Sequence, residues 1–381
     1  MHLIWTFITI VLITQVKCGG DLDSLIDEVF KPQKNDDSKK NDGRLGPECT
    51  CVPYYLCQNN TVITNGVGLI DIRVKEGPCE NYLDVCCEKP LDDLDRITPT
   101  PTVRNGCGRH NPEGIGFRIT GNENGEAQFG EFPWMVAVLK EEEADNQKLN
   151  VYQCGGALIH PEVVMTAAHC VNSRDRNYKI RAGEWDTQTS NELFPHQDAK
   201  VRSIHIHPDY YAGALYYDVA LLFLDSAITL ADNIDVVCLP RQDESFDYSR
   251  CFASGWGKDV FGKEGKYQVI LKKVDLPIVP KKQCESALRK TRLGPYFSLH
   301  KSFVCAGGES GKDTCKGDGG SPLVCPVPNT NNKYAQIGIV AWGIGCGENG
   351  TPGVYADVAS VRNWIDETLV YNNLDTKYYE Y

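Results

Sequence analysis

The sequence lacks a long apolar run, an excess of basic charge and any internal repeat. Beyond the first twenty residues, no stretch approaches the 18 apolar residues that predict a membrane-spanning helix. The 381 residues carry 39 Lys+Arg against 51 Asp+Glu, a net charge of −12, which argues against a broad nucleic-acid-binding surface. With 41% hydrophobic residues the chain is not globally disordered. We therefore expect an acidic folded protein that neither spans a membrane nor binds nucleic acid.

Cysteine, in contrast, is abundant. Seventeen cysteines argue for an oxidising compartment, and the odd number needs an explanation. Residues 3–16 form an apolar stretch of the length of a signal-peptide core, with a membrane anchor as the alternative. Removal of residues 1–18 as a signal peptide would remove Cys18 and leave 16 cysteines, enough for eight disulfides. The sequence thus predicts a secreted protein.

Composition divides the N-terminal part of the chain into three segments. Residues 19–48 are polar and charged and predict a flexible leader. Residues 49–87 hold six cysteines in the pattern C-x-C-x5-C-x21-C-x6-C-C. A disulfide module is favoured over a zinc module, because this segment has no histidine and adjacent Cys86 and Cys87 fit poorly at two corners of one tetrahedron. Residues 88–118 are rich in Pro, Thr and Asp and predict a linker with a processing site.

Residues 119–368 show a different pattern. Short apolar runs recur between turn signals, which is typical of an all-β barrel or sandwich. Only residues 360–369 are predicted to be helical. Residues 369–381 form an acidic, tyrosine-rich tail, interpreted as a disordered terminus, with a docking segment as the alternative.

Three motifs in this region carry chemistry. They are TAAHC at 166–170, DVALL at 218–222 and GDGGSP at 317–322. In this order they resemble the chymotrypsin-like serine proteases. The resemblance implies a mostly β, double-barrel fold with a C-terminal helix. It also implies that His169 is the general base and that Asp218 orients its imidazole.

The nucleophile position departs from the family. Where the family motif reads GDSGGP, this chain has Gly319 in place of the serine. Ser321 lies two residues along, and an extended chain advances ~3.3–3.6 Å per residue, whereas the hydroxyl must lie within ~3 Å of the base. Loss of the nucleophile costs roughly 10⁶ in turnover in a serine protease of another fold. The sequence therefore predicts an inactive site, with an active protease using a shifted serine as the alternative.

The resemblance assigns further positions, interpreted as inherited scaffold rather than a working pocket. Ala341 replaces a serine usual in the family, which weakens the case for an intact site. The implied positions are Asp313 at the base of a trypsin-like pocket, Gly343 and Gly353 in its walls, Gly317 and Gly319 in an anion hole, and Asp318 as the buried acid that pairs with a new N-terminus.

The resemblance also implies the disulfides, because spacing alone does not fix connectivity. The N-terminal six cysteines resemble an arthropod clip domain. The implied pairs are Cys49–Cys86, Cys51–Cys79 and Cys57–Cys87 in that domain, Cys107–Cys238 as a tether, and Cys154–Cys170, Cys251–Cys325, Cys284–Cys305 and Cys315–Cys346 in the barrels.

Processing is expected in the linker. The family's cleavage position corresponds to Arg118 and Ile119, although the residues that follow depart from the usual Ile-Val-Gly-Gly. Arg96 and Arg104 are equally plausible by sequence. We predict one regulated cut between Arg96 and Ile119. A cut at Arg118 would leave the clip domain tethered through Cys107, whereas a cut at Arg96 or Arg104 would release it.

Two kinds of modification are also suggested by sequence. Asn59 and Asn349 begin glycosylation sequons. Glu184 and Asp186 lie where some family members bind calcium, and their oxygens suit that ion. A solvated acidic loop is the alternative interpretation. No other cofactor is expected.

The combination of clip domain, linker and barrel with Gly319 resembles the arthropod clip-domain serine protease homologues of the prophenoloxidase-activating-factor type. That resemblance implies a haemolymph cofactor of melanisation, part of innate immunity. It implies prophenoloxidase or phenoloxidase and upstream and activating clip-domain proteases as partners, and a homo-oligomer after cleavage. An active trypsin-like endopeptidase and an adhesion protein that uses the inactive cleft are the alternatives.

Overall fold

The chain was analysed as a computed structural model, which covers the barrel domain and parts of the clip segment. It describes residues 50–57, 69–71, 79, 81, 83–87, 106–116, 118–120, 125–144, 147–173, 177–189, 192–258, 267–312, 318–345 and 349–381. The leader, the predicted signal peptide, Arg96 and Arg104 lie outside the described residues.

The clip segment contributes two small sheets. Strand β1 (Thr50–Pro53) pairs antiparallel with β3 (Asp84–Cys87). Strand β2 (Leu69–Asp71) pairs in parallel with β4 (Arg118–Thr120), with Ile70 aligned to Ile119. Tyr55 and Leu83 are buried in the same hydrophobic cluster as Ile119. The clip segment therefore packs against the barrel domain through a shared core.

The first barrel contains six strands, most of them with a fully buried face. Its strands are β5 (Met135–Ala144), β6 (Gln147–His160), β7 (Val163–Thr166), β8 (Tyr178–Ala182), β9 (Gln197–Ile206) and β10 (Ala220–Leu224). The barrel closes in the order β10-β7-β6-β5-β8-β9. Every residue of β7 and of β10 is buried, and Thr166 is the one polar residue of the two strands.

The second barrel also has six strands. They are β11 (Arg250–Gly255), β12 (Lys272–Val279), β13 (Phe303–Gly307), β14 (Pro322–Pro326), β15 (Tyr334–Trp342) and β16 (Pro352–Asp357). They close in the order β11-β12-β13-β16-β15-β14. The predicted mostly β, double-barrel fold with a C-terminal helix and a disulfide-rich N-terminal region is confirmed.

The described residues include three α-helices: α1 (Ala168–Val171), α2 (Lys281–Leu288) and α3 (Arg362–Tyr371). The prediction that only residues 360–369 are helical was wrong, because α2 lies between the barrel strands. It begins directly after Pro280 and buries Cys284 and Leu288, which lie one turn apart on one face. No helix in the described part of the chain combines the length and apolar composition needed to cross a bilayer.

The C-terminal tail packs onto the first barrel, so its interpretation as a disordered terminus was wrong. Tyr379 is fully buried, and its hydroxyl donates to Asp366 Oδ1 at 2.7 Å. The Arg362 guanidinium lies 4.9 Å from the Tyr379 ring centroid. Leu239 N donates to Tyr379 O at 3.0 Å. The tail is therefore held in place by a buried tyrosine, which its acidic composition did not predict.

Six disulfides join pairs that the family resemblance implies. They are Cys51–Cys79, Cys57–Cys87, Cys107–Cys238, Cys154–Cys170, Cys251–Cys325 and Cys284–Cys305. Cys86 is also disulfide-bonded. Cys49, Cys315 and Cys346 lie outside the described residues.

Candidate functional site

The two barrels meet at the three positions that the motifs single out. His169 lies on α1, directly after β7, and Asp218 lies just before β10. Strands β7 and β10 pair with Ala220 opposite Thr166, so the first barrel brings both side chains together. Gly319 precedes β14 of the second barrel, and its carbonyl accepts a hydrogen bond from Gly155 N at 3.0 Å. Each member of the site is thus held at the end of a strand.

Asp218 holds His169 by two hydrogen bonds, one to the ring and one to the backbone. His169 Nδ1 lies 2.6 Å from Asp218 Oδ2, and the backbone N of His169 donates to Asp218 Oδ1 at 2.8 Å. The Asp218 side chain is fully buried, whereas the His169 side chain is 30% exposed. A buried carboxylate in this position keeps the proton on Nδ1, so Nε2 is the nitrogen available to a reacting group.

Gly319 faces that nitrogen without a side chain. A Cβ atom built at position 319 would lie 2.9 Å from His169 Nε2 and 3.7 Å from Cys154 Sγ. The first distance is shorter than real Cβ contacts. Because the imidazole lies so close, it partly occupies the space in which a serine side chain would stand.

Ser321 packs on other residues. Ser321 is fully buried. A Cβ built at Gly155 would collide with the Ser321 Oγ, and a Cβ built at Gly255 would lie 2.9 Å from it. Its backbone N donates to Asp318 O at 2.9 Å, which fixes the turn. Among the described residues no hydrogen bond joins Ser321 to His169. The hydroxyl therefore packs among glycines and does not stand beside the base.

Asp318 accepts a hydrogen bond from Gly257 N at 2.9 Å. Its predicted partner, the N-terminus created at Ile119, is engaged elsewhere in the uncut chain. Ile119 N donates to Gln128 Oε1 at 2.7 Å, and Gln128 Nε2 donates to Ile119 O at 3.0 Å. Ile119 is 1% exposed. The residue that the family uses as an activation terminus, Ile119, is thus held buried in a strand.

The other predicted positions are distributed as follows. Gly353 is buried in β16, and Gly343 is exposed after β15, where a Cβ would meet only Gly345 O at 3.8 Å. Arg118 is exposed and forms an ion pair with Glu113. Asn349 is exposed. Asp313, Gly317 and Asn59 lie outside the described residues.

The acidic loop between β8 and β9 is buried rather than solvated. Glu184 and Asp186 are almost inaccessible, and so is Glu192, which sequence reasoning missed. Glu184 Oε2 lies 3.0 Å from Arg181 Nη1, and Glu192 Oε1 accepts from Asp186 N at 3.0 Å. The only sequence signal for Glu192 is a third acid in the same short loop.

Glu184 and Glu192 share a hydrogen bond, and burial dominates their titration. Burial raises the pKa of Glu184 to about 6, against the lowering effect of Arg181. Burial and the Glu184 charge raise the pKa of Glu192 well above its usual range. Carboxyl oxygens are ligands that calcium prefers, and calcium binding at this loop stays a prediction.

Among the described residues, one group of three metal-binding side chains is clustered, and it lies at the cleft. Cys154 Sγ, Cys170 Sγ and a ring nitrogen of His169 lie within 4.8 Å of one another. The two sulfurs form a disulfide with each other, so neither is a thiolate ligand. This group is structural.

Comparison with known proteins agrees with this geometry. The chain matches the trypsin family over residues 122–365 and the family described as "Serine protease Clip domain PPAF-2" over residues 38–88. It is 56% identical over 297 residues to Phenoloxidase-activating factor 2 of Galleria mellonella, covering 75% of this chain and 98% of that protein.

Two further relatives cover most of both chains. Inactive CLIP domain-containing serine protease A8 of Anopheles gambiae is 38% identical over 342 residues, covering 87% of this chain and 93% of that protein. Phenoloxidase-activating factor 1 of Holotrichia diomphalia is 30% identical over 350 residues, covering 85% and 92%. With its two barrels, its clip segment and these matches, the chain belongs to the trypsin family as a clip-domain serine protease homologue.

Proposed function

We propose that this protein is a secreted, non-catalytic cofactor in the proteolytic activation of phenoloxidase. The observation that carries the proposal is the geometry at Gly319. The base and its carboxylate are in place, but the position beside His169 Nε2 has no hydroxyl, and Ser321 packs elsewhere. Without a nucleophile the acyl-enzyme route is closed, at a cost of roughly 10⁶ in turnover.

The names of the relatives support both halves of the proposal. Two of them are named for activating phenoloxidase, and another is named an inactive clip-domain protease. The retained disulfides and closed barrels preserve a rigid surface, which is what a binding protein needs from a protease scaffold. On this proposal the chain acts in haemolymph, contacts prophenoloxidase or phenoloxidase and the clip-domain protease that activates it, and assembles into a homo-oligomer once cut.

The proposal includes one structural ion, a calcium at the loop of Glu184 and Glu192. The raised pKa values of both carboxyls support it, because a divalent cation would relieve the repulsion that the shared proton now relieves. Arg181 lies on one side of Glu184 and competes with the ion, so we expect moderate affinity.

Reconstitution tests the cofactor role. Purified prophenoloxidase is incubated with an activating clip-domain protease, with and without the processed form of this protein, and phenoloxidase activity is followed. We expect a clear gain in activity with the protein present. His169→Ala should leave that gain unchanged, because the dyad has no catalytic duty in a cofactor. A reaction that is indifferent to the protein would overturn the cofactor role.

The non-catalytic status has its own test. The processed protein is assayed on an arginine-containing chromogenic peptide and with a serine-directed phosphonate probe. We expect neither turnover nor labelling. Turnover that is abolished by His169→Ala would instead establish an active endopeptidase.

A further inference from the structure

Helix α2 and the loop after it form a basic surface on an acidic protein. Residues 281–301 hold six cationic side chains and one acidic one, although the whole chain has a net charge of −12. All six cations are exposed: Lys281, Lys282, Arg289, Lys290, Arg292 and Lys301. We call residues 281–301 the basic segment.

The single acid of the basic segment is used internally. Glu285 Oε1 pairs with Arg289 Nη2 at 2.7 Å, and Glu285 Oε2 accepts from Leu299 N at 2.9 Å. Arg289 Nε also donates to Phe297 O at 2.7 Å. Together with the disulfide from Cys284 to β13, these bonds hold the loop against the helix. The surface is therefore ordered before any partner arrives, which lowers the entropic cost of binding.

The remaining cations of the basic segment differ in their surroundings. Lys282, Lys290 and Arg292 form no ion pair with any carboxylate of the described residues. Lys301 Nζ instead lies 5.8 Å from the centroid of the Tyr217 ring. Because Lys282, Lys290 and Arg292 form no ion pair among the described residues, their charges are available to an anionic partner.

Two exposed aromatic rings flank these cations. Tyr296 is 97% exposed, the highest fraction among the large hydrophobic residues described as exposed. Tyr248 is 71% exposed, and its hydroxyl accepts from Gln283 Nε2 of α2 at 3.2 Å. Tyrosine and arginine are enriched among the interface residues that contribute most of the binding free energy. The surface thus combines charge with rigid contact area.

Acidic side chains border the surface and limit the kind of anion it fits. Asp243 and Asp247 are exposed on the loop that carries Tyr248. A long polyanion lying across the basic segment would run onto these carboxylates and the acidic remainder of the chain. A short acidic stretch on a folded protein would not. We propose that the basic segment is a docking surface for a short acidic segment of a partner protein. It would serve the cofactor role proposed above and rests on that role.

Charge-reversal variants test the proposal. The probe is a fluorescein-labelled octapeptide of alternating glutamate and aspartate, followed by fluorescence anisotropy at about 50 mM and about 300 mM salt. We expect Lys290→Glu with Arg292→Glu to weaken binding by about tenfold at low salt. Lys200→Glu with Arg202→Glu is the matched control, because both residues are exposed and have the same spacing. It should bind like the unmodified protein.

Two further measurements separate the alternatives. Tyr296→Ser should weaken peptide binding without changing its salt dependence, because the ring carries no charge. Heparin serves as the long polyanion. Heparin binding that depends on Lys290 and Arg292, in the absence of peptide binding, would overturn the assignment, and so would equal peptide binding by both charge-reversal pairs. The assay contains no phenoloxidase, so it can fail while the reconstitution succeeds.

Discussion

A side chain at position 319 would compete with the His169 imidazole for space. A Cβ there would lie 2.9 Å from Nε2, so the ring or the loop must shift to admit it. We predict that Gly319→Ala and Gly319→Ser each destabilise the protein by about 1–3 kcal/mol, the usual cost of overpacking. Urea unfolding of the two variants beside the unmodified protein measures this. An equal or greater stability of Gly319→Ala would contradict the steric argument.

The same pair of variants separates crowding from chemistry. Only Gly319→Ser supplies a hydroxyl beside the base, so only that variant should react with a serine-directed phosphonate. Gly319→Ala and the unmodified protein should remain unlabelled. Labelling of the unmodified protein that disappears in Ser321→Ala would show that Ser321 reaches the base after all.

The convergence of His169, Asp218 and Gly319 was predicted from the resemblance of three ordered motifs to the chymotrypsin-like serine proteases. The direction of the Ser321 hydroxyl could not be predicted in the same way. It depends on the space left by Gly155 and Gly255, which belong to strands distant in sequence. Local patterns show which residues enter a site, whereas packing decides which atom faces which.

Titration of the acidic loop should make stability depend on pH. In the folded protein the pKa values of Glu184 and Glu192 are both raised above their unfolded values, and that of Glu184 is about 6. The folded state therefore binds more protons, and stability should fall as pH rises from about 4.5 through about 6. Arg181, His196 and Asp186 also face this pair. Thermal unfolding in EDTA across this range measures the slope.

Calcium should reverse that loss. At 100 times its dissociation constant the ion would add about 2.7 kcal/mol of stability at neutral pH. Glu192→Gln should be more stable than the unmodified protein in EDTA and should lose the response to calcium. Glu162→Gln is the control, because it makes the same change at a half-buried glutamate outside the acidic loop. The Glu162 carboxylate lies 3.9 Å from Arg202 Nη2, a long ion pair. An undiminished calcium response in Glu192→Gln would remove this loop as the site.

Strand β4 should protect one of the candidate cleavage bonds. The peptide bond between Arg118 and Ile119 lies inside a strand paired with β2, and Ile119 is clamped by Gln128. We predict that Arg118→Gln leaves processing unchanged, whereas replacement of Arg96 or Arg104 blocks it. Cys107, which is bonded to Cys238, follows both Arg96 and Arg104 in the chain. A cut at either arginine therefore leaves this disulfide wholly within the barrel fragment, and two fragments separate even on a non-reducing gel. A single non-reduced band would instead indicate cleavage at Arg118.

Apolar periodicity predicted the β elements, since strands with a buried face repeat apolar residues over short runs. Helix α2 was missed although its signals are present. Pro280 precedes it, and Cys284 and Leu288 lie four residues apart on the buried face. The segment 281–301 is dominated by six lysine and arginine residues, so the two apolar positions were not recognised as the buried face of a helix.

At the scale of the whole molecule, the tail should contribute strongly to stability. Tyr379→Ala removes a fully buried ring, its bond to Asp366 and its contact with Arg362. We predict a loss of about 3–5 kcal/mol in the free energy of unfolding. Tyr371→Ala is the matched control, because the Tyr371 side chain is 85% exposed and should change stability by less than about 0.5 kcal/mol. Urea unfolding distinguishes the two.

The docking of the tail and of the clip segment could not be predicted from composition. Both depend on surfaces assembled from distant parts of the chain. The carbonyl of Tyr379 bonds to Leu239, and Asn81 Nδ2 donates to Thr189 Oγ1 across 108 positions of sequence. The fold class followed from repeated local pattern, but such long-range contacts have no local signature.

The buried tail also bears on the timing of synthesis. The last strand of the first barrel ends at Leu224, and Tyr379 lies about 150 residues later. At about 5–20 residues per second, the ribosome needs roughly 8–30 s to make that stretch. During this interval Leu239 N lacks the carbonyl that Tyr379 later supplies. The contact between the tail and Leu239 therefore forms only after the second barrel has been made.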